Sequence, residues 1–301
     1  MNAAEMTAKI ADGKGFIAAL DQSGGSTPKA LKGYGIDESA YDGDEAMFAL
    51  IHEMRSRIIS SPAFTGDKVI GAILFERTMD GQVAGKTAPQ ALIDKGVVPF
   101  LKIDKGLEAE ANGVQLMKPI PGLDTLLARA KGLGVFGTKE RSVIALANKD
   151  GIAAIVAQQF EVADQVIAAG LMPILEPEIN IKSPERGSAD LILRDEILSA
   201  LDDDANGPKV MLKLSIPEVP GTFDALVEHP RVLRVVALSG GFARAEACAE
   251  LAKNRGMIAS FSRALLEDLR HGMSDSAFDA ALGEAIDEIY TASTQKSLAS
   301  V

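Results

Sequence analysis

Eight short apolar runs alternate with longer amphipathic segments, their spacing is even, and polar residues gather where the runs end. This pattern predicts an α/β fold: a (β/α)8 barrel of parallel strands in a single domain. The runs are Phe16–Leu20, Val69–Phe75, Val98–Ile103, Ser142–Leu146, Met172–Leu175, Val210–Leu214, Leu233–Leu238 and Met257–Phe261. Each has strand length, and each is followed by helical or irregular sequence, which favours parallel pairing. The first run is not followed by a G-x-G-x-x-G turn, which counts against a doubly wound dinucleotide-binding sheet.

The intervening segments carry helical periodicity over Glu45–Ile59, Leu123–Lys131, Ile152–Ala169, Ser188–Leu201, Ala243–Arg255 and Arg263–Leu269. Ser26-Thr-Pro28 and Ser274-Asp-Ser-Ala each offer a helix cap. Barrel sequence is expected over 1–290. The small, polar stretch 291–301 is expected to be a mobile tail.

Composition narrows the function. A net charge of −11, with no Lys/Arg run, argues against a nucleic-acid partner and requires any phosphate site to be a local basic island. The N-terminus lacks a signal-peptide pattern, and the best apolar run, near Val166–Leu175, is broken by Gly170 and Pro173. A single cysteine, Cys248, excludes an internal disulfide and reads as a packed thiol. These features fit a cytoplasmic protein without a membrane partner, and they leave room for a homo-oligomer. His52, His229 and His271 have no His or Cys at metal-ligand spacing, so no metal is expected.

Lys213 is the most informative residue. It lies in Lys209-Val-Met-Leu-Lys-Leu-Ser-Ile216, where alternation puts Met211, Lys213 and Ser215 on one side. A strand interior is a poor place for an ammonium ion, and a lysine kept neutral is a nucleophile that forms a Schiff base with a carbonyl. Alone, Lys213 reads more readily as a lysine that snorkels to a carboxylate. The other strand ends tilt the balance. Asp21-Gln-Ser23-Gly-Gly-Ser26 closes the first, Glu76-Arg77 the second and Lys102-Ile-Asp104 the third. Glu176-Pro-Glu178 closes the fifth, Ser239-Gly240-Gly241 the seventh and Ser260-Phe-Ser262-Arg263 the eighth. In a barrel, this is the face that carries chemistry. Ser239-Gly240-Gly241 before a helix suits a phosphate cradle, though a plain glycine turn is an equal reading. Glu76 reads as a paired structural carboxylate, and Lys105 and Glu108 as solvated.

Several segments carry a family resemblance: Gly-Lys-Gly-Phe-Ile-Ala-Ala-Leu-Asp21, Phe-Leu-Lys102-Ile-Asp-Lys-Gly, Pro-Ile-Leu-Glu176-Pro-Glu178, Met-Leu-Lys213-Leu, Leu-Ser239-Gly-Gly and Ser260-Phe-Ser-Arg263. In this order and spacing, over Gly15 to about Ala292, the chain resembles the class I, Schiff-base fructose-1,6-bisphosphate aldolases, in particular the shorter bacterial members. The resemblance implies a TIM barrel and a glycolytic lyase that needs no cofactor or metal. It implies phosphorylated ketose and triose phosphate substrates. Lys213 matches the Schiff-base lysine, Glu176 the acid/base of carbinolamine dehydration, and Glu178 its neighbouring carboxylate. Asp21 matches the aspartate near the hydroxyl deprotonated in cleavage. Lys139 and Arg141 match a basic pair on the fourth strand, and Lys102 a lysine near the reacting hydroxyls and distal phosphate. Ser239, Gly240, Gly241, Ser262 and Arg263 fall at one phosphate cradle, Ser23 and Ser26 at the other phosphate.

Three departures from the animal pattern stand out. Gln22 replaces a glutamate, Ser262 replaces a glycine, and the terminal tyrosine is replaced by Val301, with Tyr290 the nearest tyrosine. The mechanism expected from these residues has Lys213 attack a ketone, with Lys102, Lys139 and Arg141 adding positive potential and Glu176 moving protons. Other readings of the same residues are a Schiff-base aldolase or transaldolase for another sugar phosphate, a phosphate-binding barrel isomerase, and a sugar-phosphate-binding protein without turnover.

Overall fold

A computed structural model describes residues 1–297. Eight parallel strands follow one another in chain order around the sheet: β1 (Phe16–Leu20), β2 (Val69–Leu74), β3 (Val98–Lys102), β4 (Gly137–Ile144), β5 (Met172–Ile179), β6 (Val210–Ser215), β7 (Val232–Leu238) and β8 (Ile258–Ala259). Beyond the short ladder of β8, the Ser260 N–H donates to Ala237 O of β7 at 2.7 Å, and the Ala19 N–H donates to Phe261 O at 3.2 Å, a bond that joins the last strand to the first and brings the sheet close to a closed barrel. An antiparallel strand, Val114–Gln115, lies on the end of β4, and Gln82–Val83 pairs with Lys86–Thr87 in a small hairpin.

Helices surround the strands: α1 (Ala3–Asp12), α2 (Ser26–Gly33), α3 (Gly43–Ser60), α4 (Glu76–Met79), α5 (Ala88–Asp94), α6 (Leu123–Gly132), α7 (Lys149–Ala168), α8 (Arg186–Asp202), α9 (Asp224–Glu228), α10 (Arg244–Ala252), α11 (Arg263–Leu266) and α12 (Asp275–Thr294). Among the described residues no helix is long and apolar enough to cross a membrane.

Alternation along each strand splits the apolar residues into two cores. Phe16, Ala18 and Leu20 face the helices. Ile17, Ile73, Phe100, Ile174, Met211, Val236 and Ile258 fill the barrel interior. Met6 and Ile10 of α1 join that inner cluster and plug the barrel at the N-terminal ends of its strands. Arg234 secures the plug by donating to Ala11 O and to Gly13 O. Gly137 has a packing reason: a β-carbon there would sit 2.9 Å from the Phe100 ring and 2.1 Å from Met172 O.

Three sequence expectations shift. The fourth strand is Gly137–Ile144, not Ser142–Leu146. Its charged residues hide it from a search for apolar runs, whereas Ala145 and Leu146 leave the ladder and donate their N–H groups to Gly113 O at 2.8 and 3.0 Å. Gly25 occupies the cap position of α2; Ser26 Oγ instead donates to Ser23 O at 2.8 Å and accepts from Ser23 N at 2.9 Å. Ser274 does cap α12, through the Ala277 N–H. That helix runs beyond the expected boundary at 291, because Ala292 and Ser293 are buried and Ser293 Oγ accepts from the Ala259 N–H of β8 at 3.0 Å. The rest of the expected tail, 298–301, lies outside the described residues.

Candidate active site

The inner faces of the strands change character towards their C-terminal ends. On β1 the inward series is Ile17, Ala19, then Asp21; on β5 it is Ile174, then Glu176; on β6 it is Met211, then Lys213. Above the apolar plug four candidate residues meet in one buried chain of charge. Lys139 Nζ lies 2.7 Å from both Asp21 Oδ2 and Glu176 Oε2, and Lys213 Nζ lies 2.9 Å from Glu176 Oε1. Each of these side chains is 10% exposed or less, so solvent screens the contacts little.

Burial alone would raise the Asp21 carboxyl, but Lys139, Lys213 and Lys102 outweigh it and hold Asp21 far below the usual carboxylate range. Burial likewise opposes ionisation of Glu176, and Lys139 and Lys213 reverse the balance, so this carboxyl also lies below its ordinary value. Lys139 gains what they gain. Burial disfavours its ammonium form, yet Asp21 and Glu176 push its pKa above the ordinary lysine value. Lys139 is therefore a cation held between two carboxylates whose ionised forms it favours.

The other basic candidates carry partners of their own. Lys102 Nζ lies 2.5 Å from Asp104 Oδ1 and also donates to Asp104 O at 3.1 Å. Burial, helped by Lys139, still lowers the Lys102 ammonium against the pull of Asp104. Arg141 Nε donates to Glu178 Oε2, so Glu178 is held by Arg141 rather than by Lys213. The expected excess of positive potential around Lys213 is thus compensated pair by pair, and Glu176 Oε1 is positioned to accept a proton from Lys213.

Strands β5 and β6 pair only at Ile174–Met211 and Leu175–Leu212. Beyond that, Pro177 has no N–H to give, and the strands part where Glu176 and Lys213 emerge. Ser215 spans the gap: its hydroxyl donates to Ile179 O at 2.7 Å and accepts from the Ile179 N–H at 3.0 Å.

The glycine loop after β7 has the form of an anion cradle. Gly240 and Gly241 have φ of 61° and 123°, conformations that favour glycine, and Ile181 packs where a Gly240 β-carbon would sit. Arg263 Nη2 lies 3.3 Å from the position of a β-carbon on Gly241, which brings a guanidinium over the loop that leads into α10. Ser239 is buried at its start, and Ser262 is half-buried beside Arg263. Ser23 and Ser26 form their own exposed turn on the β1 loop.

Tyr290, on α12, lies with its ring centroid 6.0 Å from Lys68 Nζ, beside the residue that enters β2 from the plugged end, and so away from the rim. Cys248 lines a groove between α10 and α12 on the outside of the helical layer; burial pushes its thiol up to about 12, which makes it inert. Among the described residues no three His, Cys, Asp or Glu side chains converge as a metal site.

The sequence reading missed three groups around the site. Arg55 of α3 is fully buried; its signal was a cation on the apolar stripe of Ile51, Met54 and Ile58. Gln22 is buried beside Asp21 and binds that arginine. Glu140 lies on the outer side of β4, fully buried, with neither carboxyl oxygen hydrogen-bonded. Burial, with Asp104 and Glu176 adding to it against Lys139, raises Glu140 well above the ordinary value and favours its neutral form.

Comparison with known proteins follows from this geometry. A fructose-bisphosphate aldolase from Plasmodium falciparum superimposes with a TM-score of 0.80 at 19% identity, over 98% of this chain and 96% of that one, so the two share the TIM-barrel fold. A mutant flavocytochrome b2 (TM-score 0.46, 9% identity, 93% of this chain and 63% of that one) and a sugar phosphate isomerase/epimerase from Parabacteroides distasonis (0.42, 13%, 93% and 96%) are more distant and add nothing. The family model for fructose-bisphosphate aldolase class-I matches residues 2–201, two thirds of the sequence, from α1 to the end of α8 and including Asp21, Lys102, Lys139 and Glu176. The chain belongs to the class I fructose-bisphosphate aldolase family.

Proposed function

We propose that the protein cleaves fructose 1,6-bisphosphate reversibly to dihydroxyacetone phosphate and glyceraldehyde 3-phosphate through a Schiff base on Lys213, in the glycolysis and gluconeogenesis of the cytoplasm. The observation that carries this reading is the bridging of Lys213 and Lys139 by one carboxylate, Glu176, at 2.9 and 2.7 Å.

Lys213 Nζ passes a proton to Glu176 Oε1 and attacks the C2 carbonyl of the open-chain ketose. Glu176 returns the proton to the carbinolamine hydroxyl, water leaves, and a protonated imine remains. Asp21 or Glu176 then takes the C4 hydroxyl proton, the C3–C4 bond breaks, and its electron pair moves into the imine to form the enamine. Because the iminium is the electron sink, no step calls on a metal. Lys139 keeps Asp21 and Glu176 ionised for these transfers and favours charge developing beside it. If Glu176 takes the C4 proton, then, as the carboxyl in contact with Lys213, it is the group placed to return that proton to the enamine before hydrolysis. Ser239, Gly240, Gly241, Ser262 and Arg263 hold one phosphate; Ser23, Ser26 and Lys102 hold the other, with Arg141 exchanging Glu178 for substrate. Binding both ends fixes the reacting carbons.

Borohydride added with substrate should trap a covalent adduct on Lys213, activity should survive a chelator, and Lys213→Met should abolish turnover. Activity lost to chelator without a trapped adduct would sink the proposal. A panel of phosphorylated ketoses then ranks fructose bisphosphate against fructose 1-phosphate and tagatose bisphosphate.

A further inference from the structure

Arg55 is fully buried near the rim and takes no part in the chemistry above. Among the described residues its guanidinium hydrogen-bonds to no carboxylate. Nη1 donates to Thr78 Oγ1 at 2.8 Å, and Nη2 donates to the Gln22 carbonyl and to Gln22 Oε1, the latter at 3.2 Å. A guanidinium has no acceptor. The Gln22 amide must therefore present its oxygen to Arg55 and its nitrogen to whatever lies beyond. Nε2 reaches Ser262 Oγ at 2.6 Å, with Ala19 O a weaker second acceptor at 3.4 Å.

The polarity of this chain has one direction. Ser262 Oγ accepts from Gln22, so its own proton points elsewhere, and among the described residues no acceptor takes it. Ser262 adjoins Arg263, whose guanidinium lies over Gly241. The Ser262 hydroxyl proton is therefore free on the segment that carries the arginine of the glycine loop.

We propose that Arg55 and Gln22 form a positioning relay of fixed polarity that makes the Ser262 hydroxyl a hydrogen-bond donor to the phosphate of the Ser239–Gly241 and Arg263 cradle. The relay rests on reading that loop as a phosphate site. It gives two departures from the animal sequences a single cause. A glutamate at position 22 would accept from Arg55 and from Ser262 alike, turning the hydroxyl proton inward; a glutamine cannot, so Gln22 and Ser262 work as a pair. A tie that merely joined the β1 and β8 loops would set stability without setting phosphate affinity.

The test uses the full-length protein with Ser262→Ala, Ser262→Thr, Gln22→Met and the Ser262→Ala/Gln22→Met double variant, each titrated with inorganic phosphate by calorimetry. Ser262→Ala should weaken phosphate roughly ten-fold, the size of a hydrogen bond to a charged group. Gln22→Met should act in the same direction, the double variant should be no weaker than Ser262→Ala, and Ser262→Thr should retain binding. Substrate KM should rise in step with the loss of phosphate affinity. Unchanged phosphate affinity in Ser262→Ala, or additive losses in the double variant, overturns the relay, as does a parent protein that binds no phosphate. If Gln22→Met does not fold, the contrast between Ser262→Ala and Ser262→Thr decides alone. Borohydride trapping of dihydroxyacetone phosphate on the parent separates the two proposals. Without an adduct the Schiff-base reading falls, and the phosphate titration still judges the relay.

Discussion

Ser215 hydrogen-bonds to both backbone groups of Ile179, giving at 2.7 Å and receiving at 3.0 Å. One hydroxyl thus does for β5 and β6 what a ladder does elsewhere, just beyond the height where Glu176 faces Lys213. Ser215→Ala would leave the Ile179 N–H and C=O buried without partners. The expected loss is about 2 kcal/mol in denaturant unfolding, with a fall in kcat as the Glu176–Lys213 spacing loosens. An unchanged unfolding midpoint would mean that the strands can pair without it.

Lys139→Met would remove the cation in contact with both Asp21 and Glu176 and leave Glu176 with Lys213 alone. Removing one member of such a cluster costs about 3–5 kcal/mol at neutral pH. Asp21 sets the sign with pH: its folded pKa is depressed, so its stabilising contribution is present above the ordinary value of 3.8 and fades as pH falls through the lower folded value. The gap in stability between parent and variant should therefore be wide at pH 7 and narrow between about pH 4 and pH 2. A constant gap across that range would show that the ion cluster contributes nothing specific.

Glu140→Gln should stabilise the protein at alkaline pH. Burial holds Glu140 in its neutral form with a folded pKa above the unfolded one, so its contribution is full below the unfolded value and is lost as pH rises through the folded value. The amide escapes that loss. Thermal midpoints at pH 5 and pH 9 provide the check: the advantage of the variant should be larger at pH 9.

Asp190 of α8 offers the same logic in a defined window. It is 1% exposed, accepts from the Glu218 N–H at 2.8 Å, and burial raises it from 3.8 to about 6 against the opposing pull of that N–H and of Arg186. The parent should lose stability between about pH 4 and pH 6 relative to Asp190→Asn, with the difference reaching a plateau of at most about 3 kcal/mol above pH 7. A difference that grows on acidification instead would refute the assignment.

Most strands could be read from sequence because their outer faces are apolar and their inner faces stay apolar until the rim. Lys213, Glu176 and Asp21 stand out for the same reason: each interrupts an alternation that the plugged half of the barrel obeys. β4 escaped because Lys139, Glu140 and Arg141 put charge on both of its sides, so its strand signal fell on the apolar residues that follow. Arg55 escaped because an arginine within a helix reads as solvent-facing unless its stripe is traced. Gln22 and Ser262 stand 240 positions apart, and no local pattern joins them. Ser215 resembles any strand-end serine until β5 is seen to part from β6.

The α1 plug also governs traffic. With Met6 and Ile10 wedged into the base, the barrel has one door. Whatever enters by the rim must back out the same way, so under the proposed Schiff-base mechanism a departing aldehyde would have to pass the triose still tethered to Lys213 before the tether is cut. In that mechanism the covalent bond would work as a latch that settles the order of exit, with leaving products and arriving sugar contending for a single threshold.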